Sequence, residues 1–504
     1  MRMVKSLLLG SAAGLVAVAG AQAADLPVKA KPVEYVKVCS LYGAGFWYVP
    51  GTDTCLKIGS FVRVQTSWNT NGSDIPIGAG NSDSMGRETR TDTANFGFRV
   101  RSGVSVDLRT QTEYGTLRSY MDVGAQWSAA VAGSTADNNA AVADALWVDR
   151  GFIQFAGFTA GRIRSYFDIN SFAAYGYSNV RMSGDTGALG IYGIAYTAQF
   201  GNGVTASISF EDNGQASGGR GHFDLNMAMG EIGLGTTAYD NKGQQAPDVV
   251  GALRIDQAWG YAQVSAALHD ASGGYYGGTN STLNGHPADM WGWAISGGFA
   301  LNDILGFKGD TFQVQGCYSE GAAGYCTRAT GSWQMYSTGN NAGFGWVSDG
   351  VYDNNIPNAG AGLTDVELTT VWGINGYAQH LWSPKWRTSL YGGYIEVDYN
   401  SNATNIINQH LPTPPLGGLA CGVAVEGAVA PPLGIGNGVG NSCSPSFSWW
   451  QVGTRTQWNP HPDLDIGVDV LWTHLNTAYK GTNVTLGANG ARPAGVSMND
   501  DIPR

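Results

Sequence analysis

Apolar and polar side chains alternate along many stretches of this chain. From Phe96 to Leu108 the even-numbered residues are mostly apolar, whereas the odd-numbered ones are glycine, polar or charged. The same period of two returns in Leu464–Trp472 and on both sides of the Gly201-Asn202-Gly203 turn. Successive side chains of a strand point to opposite faces, so this pattern predicts strands with one apolar and one polar face. Soluble sandwiches and membrane barrels both have such strands, and the pattern alone leaves the two open.

The lengths of the connections separate these two fold classes. Fifteen strands are predicted, at 59–68, 95–110, 116–124, 146–155, 159–165, 191–200, 204–210, 248–256, 260–270, 290–300, 311–319, 366–380, 386–399, 447–458 and 463–474. Short and long connections alternate strictly between them. Membrane barrels have tight periplasmic turns and large outer loops, whereas a sandwich has no reason to put every long loop at one end. The sequence therefore predicts an all-β fold, a transmembrane antiparallel β-barrel.

Tryptophan placement agrees with a barrel in a membrane. Amphipathic rings prefer the headgroup level of a bilayer, which corresponds to the ends of the strands. Seven tryptophans lie at or near predicted strand ends, namely Trp68, Trp259, Trp291, Trp382, Trp386, Trp458 and Trp472. Ordinary core packing is the alternative, and the loop pattern favours the membrane interpretation.

The N-terminus predicts export. Arg2 and Lys5 precede the apolar run 7–19, and Ala21 and Ala23 occupy the small-residue positions that signal peptidase requires. Residues 1–23 are therefore expected to be a signal peptide cleaved before Ala24. A membrane anchor is less favoured, because the run is shorter than the roughly 20 apolar residues that span a bilayer.

Composition excludes several classes of protein. Only 13% of the 504 residues are charged, 74 are glycine, and the formal net charge is -11. After residue 23 no apolar run approaches a membrane-spanning helix, and no linker divides the chain, so one long barrel domain is expected. Loss of Arg2 and Lys5 makes the charge more negative still, which argues against nucleic acid as a partner.

Six cysteines in an exported chain favour disulfide bonds over metal ligation, since no C-x-x-C pair occurs. Pairing between neighbours is expected, although six cysteines allow fifteen arrangements. The expected pairs are Cys39 with Cys55, Cys317 with Cys326, and Cys421 with Cys443.

Catalytic and metal-binding motifs are missing from the sequence. There is no G-x-S-x-G, H-E-x-x-H or phosphate-binding glycine loop, and the seven histidines are dispersed. No enzyme activity, metal or cofactor is expected. An outer-membrane lipase remains an alternative, as does a barrel that serves as an adhesin or a substrate-specific receptor.

Several segments carry a family resemblance that covers residues 1 to about 480. They include RTQTEYGTLRSYMDVGAQW, VDRGFIQFAGFTAGR, PDVVGALRIDQAWGYAQVSAALHD, WRTSLYGGY and FSWWQVGTRTQWNP. In combination they resemble the alphaproteobacterial general porins. The resemblance implies a sixteen-stranded, usually trimeric outer-membrane barrel for passive diffusion of small hydrophilic solutes, narrowed by its third outer loop. Lipid, lipopolysaccharide and further copies of the chain are its expected partners. A barrel of roughly sixteen strands is also wide enough to leave an aqueous channel.

Arginines are concentrated in the first five predicted strands, on the face opposite the apolar residues. A lipid-facing arginine at mid-bilayer costs about 2–4 kcal/mol, so the lumen is their expected place. The predicted constriction wall consists of Arg63, Arg99, Arg101, Arg118, Arg150, Arg162 and Arg164. Arg109 is close to a periplasmic turn and is the weakest candidate. The resemblance implies that loop 166–190 bends inward, which would set Asp168 and Asp185 against part of that wall.

The odd number of predicted strands raises the question of how the barrel closes. Bacterial single-chain barrels have an even number of strands, and the chain stops at Arg504 without the aromatic-ended strand that the resemblance implies. Either the last strand is absent or a segment at 36–47 or 223–229 takes its place. The expected organisation is a periplasmic segment at 24–58, the barrel at 59–475 and a last outer loop at 476–504.

Overall fold

A computed structural model describes residues 37–68, 96–129, 145–171, 175–177, 190–212, 241–276, 285–327, 331–336, 341–353, 363–410, 444–481, 483–484 and 496–498. The predicted signal peptide, Asp185, Cys421 and Cys443 lie outside these residues. Within the described ranges, the helices are too short or too polar for any of them to cross a membrane.

Sixteen strands form one antiparallel sheet in which each strand neighbours the next along the chain. They are β1 (Trp47–Tyr48), β2 (Thr54–Trp68), β3 (Phe96–Thr112), β4 (Gly115–Ala129), β5 (Ala145–Phe155), β6 (Phe158–Ile163), β7 (Ile191–Gly201), β8 (Val204–Glu211), β9 (Asp248–Gln257), β10 (Gly260–Asp270), β11 (Trp291–Asn302), β12 (Thr311–Glu320), β17 (Thr370–Ser383), β18 (Trp386–Asp398), β19 (Phe447–His461) and β20 (Leu464–Asn476).

Short elements lie in the long connections. β13 (Gly331–Tyr336), β14 (Asn341–Val347), β21 (Asn483–Val484) and β22 (Val496–Met498) form a small sheet, and β15 (Gly350–Val351) pairs with β16 (Glu367–Leu368). The helices are α1 (Ala323–Cys326) and α2 (Ser401–His410), with a 3-10 turn at Ser40–Tyr42 and another at Ile304–Gly306.

All fifteen predicted strands are confirmed, as β2–β12 and β17–β20. The alternation of short and long connections is confirmed as well. Residues 202–203 form the tightest type of turn, in which Asn202 and Gly203 have φ of 49° and 75°. Positive φ at both central residues gives the turn the same twist as the strands it joins, which is why Asn-Gly is favoured there.

The sixteenth strand in the sheet order is the two-residue β1, at the end of the predicted 36–47 segment. The other candidate segment, 223–229, lies outside the described residues. β1 and β20 stand at the two ends of the sheet order, and within the described ranges no pairing joins them.

Two of the three expected disulfide bonds are confirmed, Cys39–Cys55 and Cys317–Cys326. The chain divides into two compact units, and the first ends at Cys55. In its described part, Cys39, Phe46 and Cys55 form a small buried cluster. The disulfide bond thus closes the N-terminal unit on itself.

Burial differs between the middle and the ends of the strands of the second unit. One face of the strands exposes large apolar side chains, among them all seven tryptophans of the predicted aromatic belt. The main buried cluster instead combines loop and strand residues at the long-loop ends, including Tyr325, Trp346, Tyr399, Phe447 and Tyr479. The long loops are therefore packed structures with a core of their own.

Candidate pore-lining site

The segment after β6 runs along the polar face of the sheet. Ser165 Oγ donates to Glu211 in β8 at 2.7 Å, and the Asn170 backbone N–H donates to Gln315 in β12 at 2.9 Å. The Tyr261 hydroxyl in β10 donates to Asn170 Oδ1 at 2.8 Å. These contacts identify the face that carries Glu211, Tyr261 and Gln315 as the inner face, which residues 165–170 of the third long loop contact.

The same loop reaches both the first and the last long strand. Tyr175 stacks on Tyr377 with ring centroids 5.2 Å apart. The Tyr177 backbone N–H donates to Asp469 in β20 at 2.6 Å, while Arg63 Nη2 in β2 donates to the Tyr177 carbonyl at 2.6 Å. Two residues 406 positions apart in sequence, Arg63 and Asp469, therefore contact the same loop residue.

Three charged side chains contact Tyr177. The guanidinium carbons of Arg63 and Arg455 are 5.5 and 4.9 Å from the centroid of its ring. Its hydroxyl donates to Asp465 in β20. Burial and the Asp465 carboxylate raise the pKa of Tyr177, so the phenol keeps the proton that it donates.

Arg63, Arg99 and Arg101 lie together on the inner face of β2 and β3. Arg99 Nη2 donates to Gln65 Oε1 at 2.7 Å. Arg101 donates from Nε and Nη2 to Gln126 Oε1 at 3.0 and 2.6 Å. The Arg63 and Arg101 guanidinium groups are close enough to repel one another.

Arg118 and Arg109 have carboxylate partners. Both form two hydrogen bonds with Asp107, whose side chain is only 11% exposed. The Arg118 guanidinium also lies beside the stacked rings of Tyr120 and Phe152, 5.2 and 5.3 Å from their centroids. One carboxylate thus compensates part of the charge of two arginines near the periplasmic turn.

Arg150 and Arg164 lie near the start of the loop. Arg164 Nε is 3.6 Å from Asp168 Oδ2, and Arg164 Nη2 donates to the Asn170 carbonyl at 2.6 Å. Arg150 Nη1 donates to the Asp149 carbonyl at 3.0 Å and lies within electrostatic range of Asp168. The Asp168 side chain is fully buried, so its charge acts on these arginines rather than on open solvent.

Arg162 differs from the expectation, because it lies on the outer face. It pairs with Gly151 and Tyr192, and its guanidinium lies 5.5 Å from the Tyr192 ring. Phe158, four residues earlier on the same strand face, is 56% exposed. β6 ends at Ile163, so the alternation of side chains along the strand applies to Arg162 but not to Arg164. The Arg164 side chain turns to Asp168 instead.

Sequence reasoning did not select Tyr177, Asp465, Asp469 or Arg455. Arg455 could have been predicted from the sequence, because the alternation of β19 places it on the same face as Gln451 and Gln457. No local signal marks Tyr177, whose partners are 114 to 292 residues away. Among the described residues, no group of three or more His, Cys, Asp or Glu side chains could hold a metal ion.

Known proteins similar to this chain are channels of bacterial outer membranes. The porins Omp2b of Brucella canis and of Brucella abortus (strain 2308) are both 36% identical over 262 residues, which cover 51% of this chain and 63% of each relative. The outer membrane channel DcaP of Acinetobacter baumannii has the same fold, with a TM-score of 0.51 and 12% identity over 87% of this chain and 94% of its own. The model of the Porin subfamily matches residues 25–495, so the chain belongs to that family and is located in the outer membrane.

Proposed function

We propose that this chain forms a passive diffusion pore for small hydrophilic solutes and ions, and that it is not an enzyme. The observation that supports this most directly is the position of residues 165–171 and 175–177, which contact the polar inner face from β8 to β20. A loop in that position narrows a channel without filling it. Membership of the Porin subfamily supports the same activity.

The proposed constriction wall consists of Arg63, Arg99, Arg101, Arg118, Arg150 and Arg164, without the outward Arg162. Positive charge is distributed unevenly along this wall, because Arg118 shares the Asp107 carboxylate with Arg109 and Arg164 lies beside Asp168. The hydrogen bonds described for Arg63, Arg99 and Arg101 go to neutral oxygens. An excess of positive charge at β2 and β3 favours anions over cations. Asp185 remains a proposed member of the loop side.

Ion selectivity tests this proposal. A single charge about 6 Å from a permeating ion in water contributes about 0.7 kcal/mol, roughly a threefold change in relative permeability. The double variant Arg99→Gln and Arg101→Gln should therefore shift the reversal potential in a salt gradient strongly towards cation preference. Arg162→Gln is the control, since it removes one arginine charge from the outer face. A double variant with wild-type reversal potential would remove these residues from the wall.

Conductance without added ligand separates the pore from an adhesin or a substrate-specific receptor. The full chain in a planar bilayer should conduct KCl as soon as it inserts. Channels that stay closed until a specific ligand is added would favour the receptor.

We also propose that the barrel associates as a homotrimer in contact with lipid and lipopolysaccharide. Family membership supports this proposal, because interface residues and lipid-facing residues have the same apolar character in a single chain. Native mass analysis or crosslinking that yields only monomers would contradict the trimer.

A further inference from the structure

Two large rings lie against glycines on the inner face of β2–β5. Gly103 pairs with Gly124, and Gly124 pairs with Trp147 across the next strand boundary. A Cβ on Gly103 would lie 2.5 Å from the Phe61 ring, and one on Gly124 would overlap the Trp147 ring. The two glycines thus leave the space in which Phe61 and Trp147 lie along the wall. We call Phe61 and Trp147 the aromatic platform.

The two rings of the aromatic platform stack on each other at the inner face. Their centroids are 6.4 Å apart, with 23° between the planes. Phe61 is 43% exposed and Trp147 is half-buried. Trp147 Nε1 has no hydrogen-bond partner in the described part of the chain, so packing on the glycines sets the ring orientation. Exposed aromatic faces are unfavourable in water and favourable beneath another flat ring.

Positive charge lies next to the aromatic platform. Arg101 precedes Gly103 by two residues, and its guanidinium carbon is 6.0 Å from the Trp147 centroid. Arg63 follows Phe61 by two residues on the same face of β2. A planar guanidinium fork matches the geometry of a carboxylate, which it binds through two parallel hydrogen bonds.

We infer that the aromatic platform, with Arg101 beside it, is a binding site for planar aromatic carboxylates in transit. The ring of the solute stacks on Trp147 and Phe61, and its carboxylate faces Arg101 and Arg63. This inference rests on the proposed pore function, since the platform is reached from the lumen. It adds a solute class to a pore that otherwise selects by size and charge.

Two acids of equal charge and similar size test the inference. Benzoate has a planar aromatic ring, whereas cyclohexanecarboxylate has the same carboxylate on a puckered saturated ring. In single-channel recordings of the full chain, benzoate should block the current at a concentration roughly threefold to tenfold lower. Trp147→Leu should bring this ratio close to one, and Phe61→Leu should lower it independently.

Two further variants separate stacking from charge. Trp127→Leu is the matched control, because Trp127 is 48% exposed on the opposite face of the neighbouring strand and should leave the ratio unchanged. Arg101→Gln should weaken block by both acids and keep the ratio. A channel that conducts KCl but does not distinguish the acids, or whose preference survives both platform variants, overturns this inference and leaves the pore intact. A chain that inserts and conducts no KCl overturns the proposed pore and the inference with it.

Discussion

Replacing Tyr177 by Phe should loosen the third long loop while leaving the barrel folded. The change removes one hydroxyl, which donates to the Asp465 carboxylate. The backbone bond to Asp469 and the contacts with Arg63 and Arg455 do not depend on that hydroxyl. A hydrogen bond to a charged acceptor contributes about 1.5–3 kcal/mol, and partial exposure of this site favours the lower end. About 1.5 kcal/mol lowers the ratio of docked to undocked loop roughly tenfold.

The assay is the open-channel current of single molecules in planar bilayers. Y177F should show more current noise and more frequent excursions to higher conductance, because the undocked loop no longer narrows the lumen. Tyr318→Phe is the matched control, since the Tyr318 hydroxyl donates to the Glu320 carboxylate at 2.9 Å and lies on the face of β12 opposite to Gln315. Identical noise in wild type, Y177F and the stronger variant Asp469→Ala would refute the anchoring role.

Two further predictions concern stability. Burial raises the pKa of Asp310, but hydrogen bonds from His380 and the Leu381 N–H outweigh it, and the net pKa is lowered. A carboxyl group whose pKa is lowered in the folded state stabilises the fold at pH values above its unfolded-state pKa of about 3.9. This stabilisation is lost as the pH falls through the folded-state pKa. The urea resistance of wild type should therefore exceed that of Asp310→Asn at pH 6 and approach it below pH 4, and a gap constant with pH would contradict this. The Cys317–Cys326 bond closes a short loop, so its replacement by two serines should cost about 2.5–3 kcal/mol in urea titrations relative to the oxidised wild type. An unchanged midpoint would argue against the bond.

The strands and their connections followed from sequence alone, because each depends on neighbours in the chain. Alternation over Phe96–Leu108 reports which side chains share a face, and the Asn202-Gly203 turn requires only positive φ at two residues. The same alternation predicts that Arg99 and Arg101 lie on the polar face, and both lie on the inner face.

The direction of individual side chains in β5 and β6 depended on tertiary structure. One extra residue at Asp149 shifts the register between β4 and β5, so Trp147 and Arg150 face the same side although alternation separates them. The end of β6 at Ile163 likewise sends Arg162 and Arg164 to different faces. A bulge and a strand end each change the parity of the pattern, and neither leaves a local mark in the sequence.

The anchoring of the third loop is the feature that sequence could least provide. Tyr177 meets Asp469 and Arg63 only because the sheet brings its first and last long strands to the same loop residue. The composition of each strand determines which face is polar. The pairing of all the strands decides which polar groups meet across the lumen, because that distance depends on the register of every pair between them.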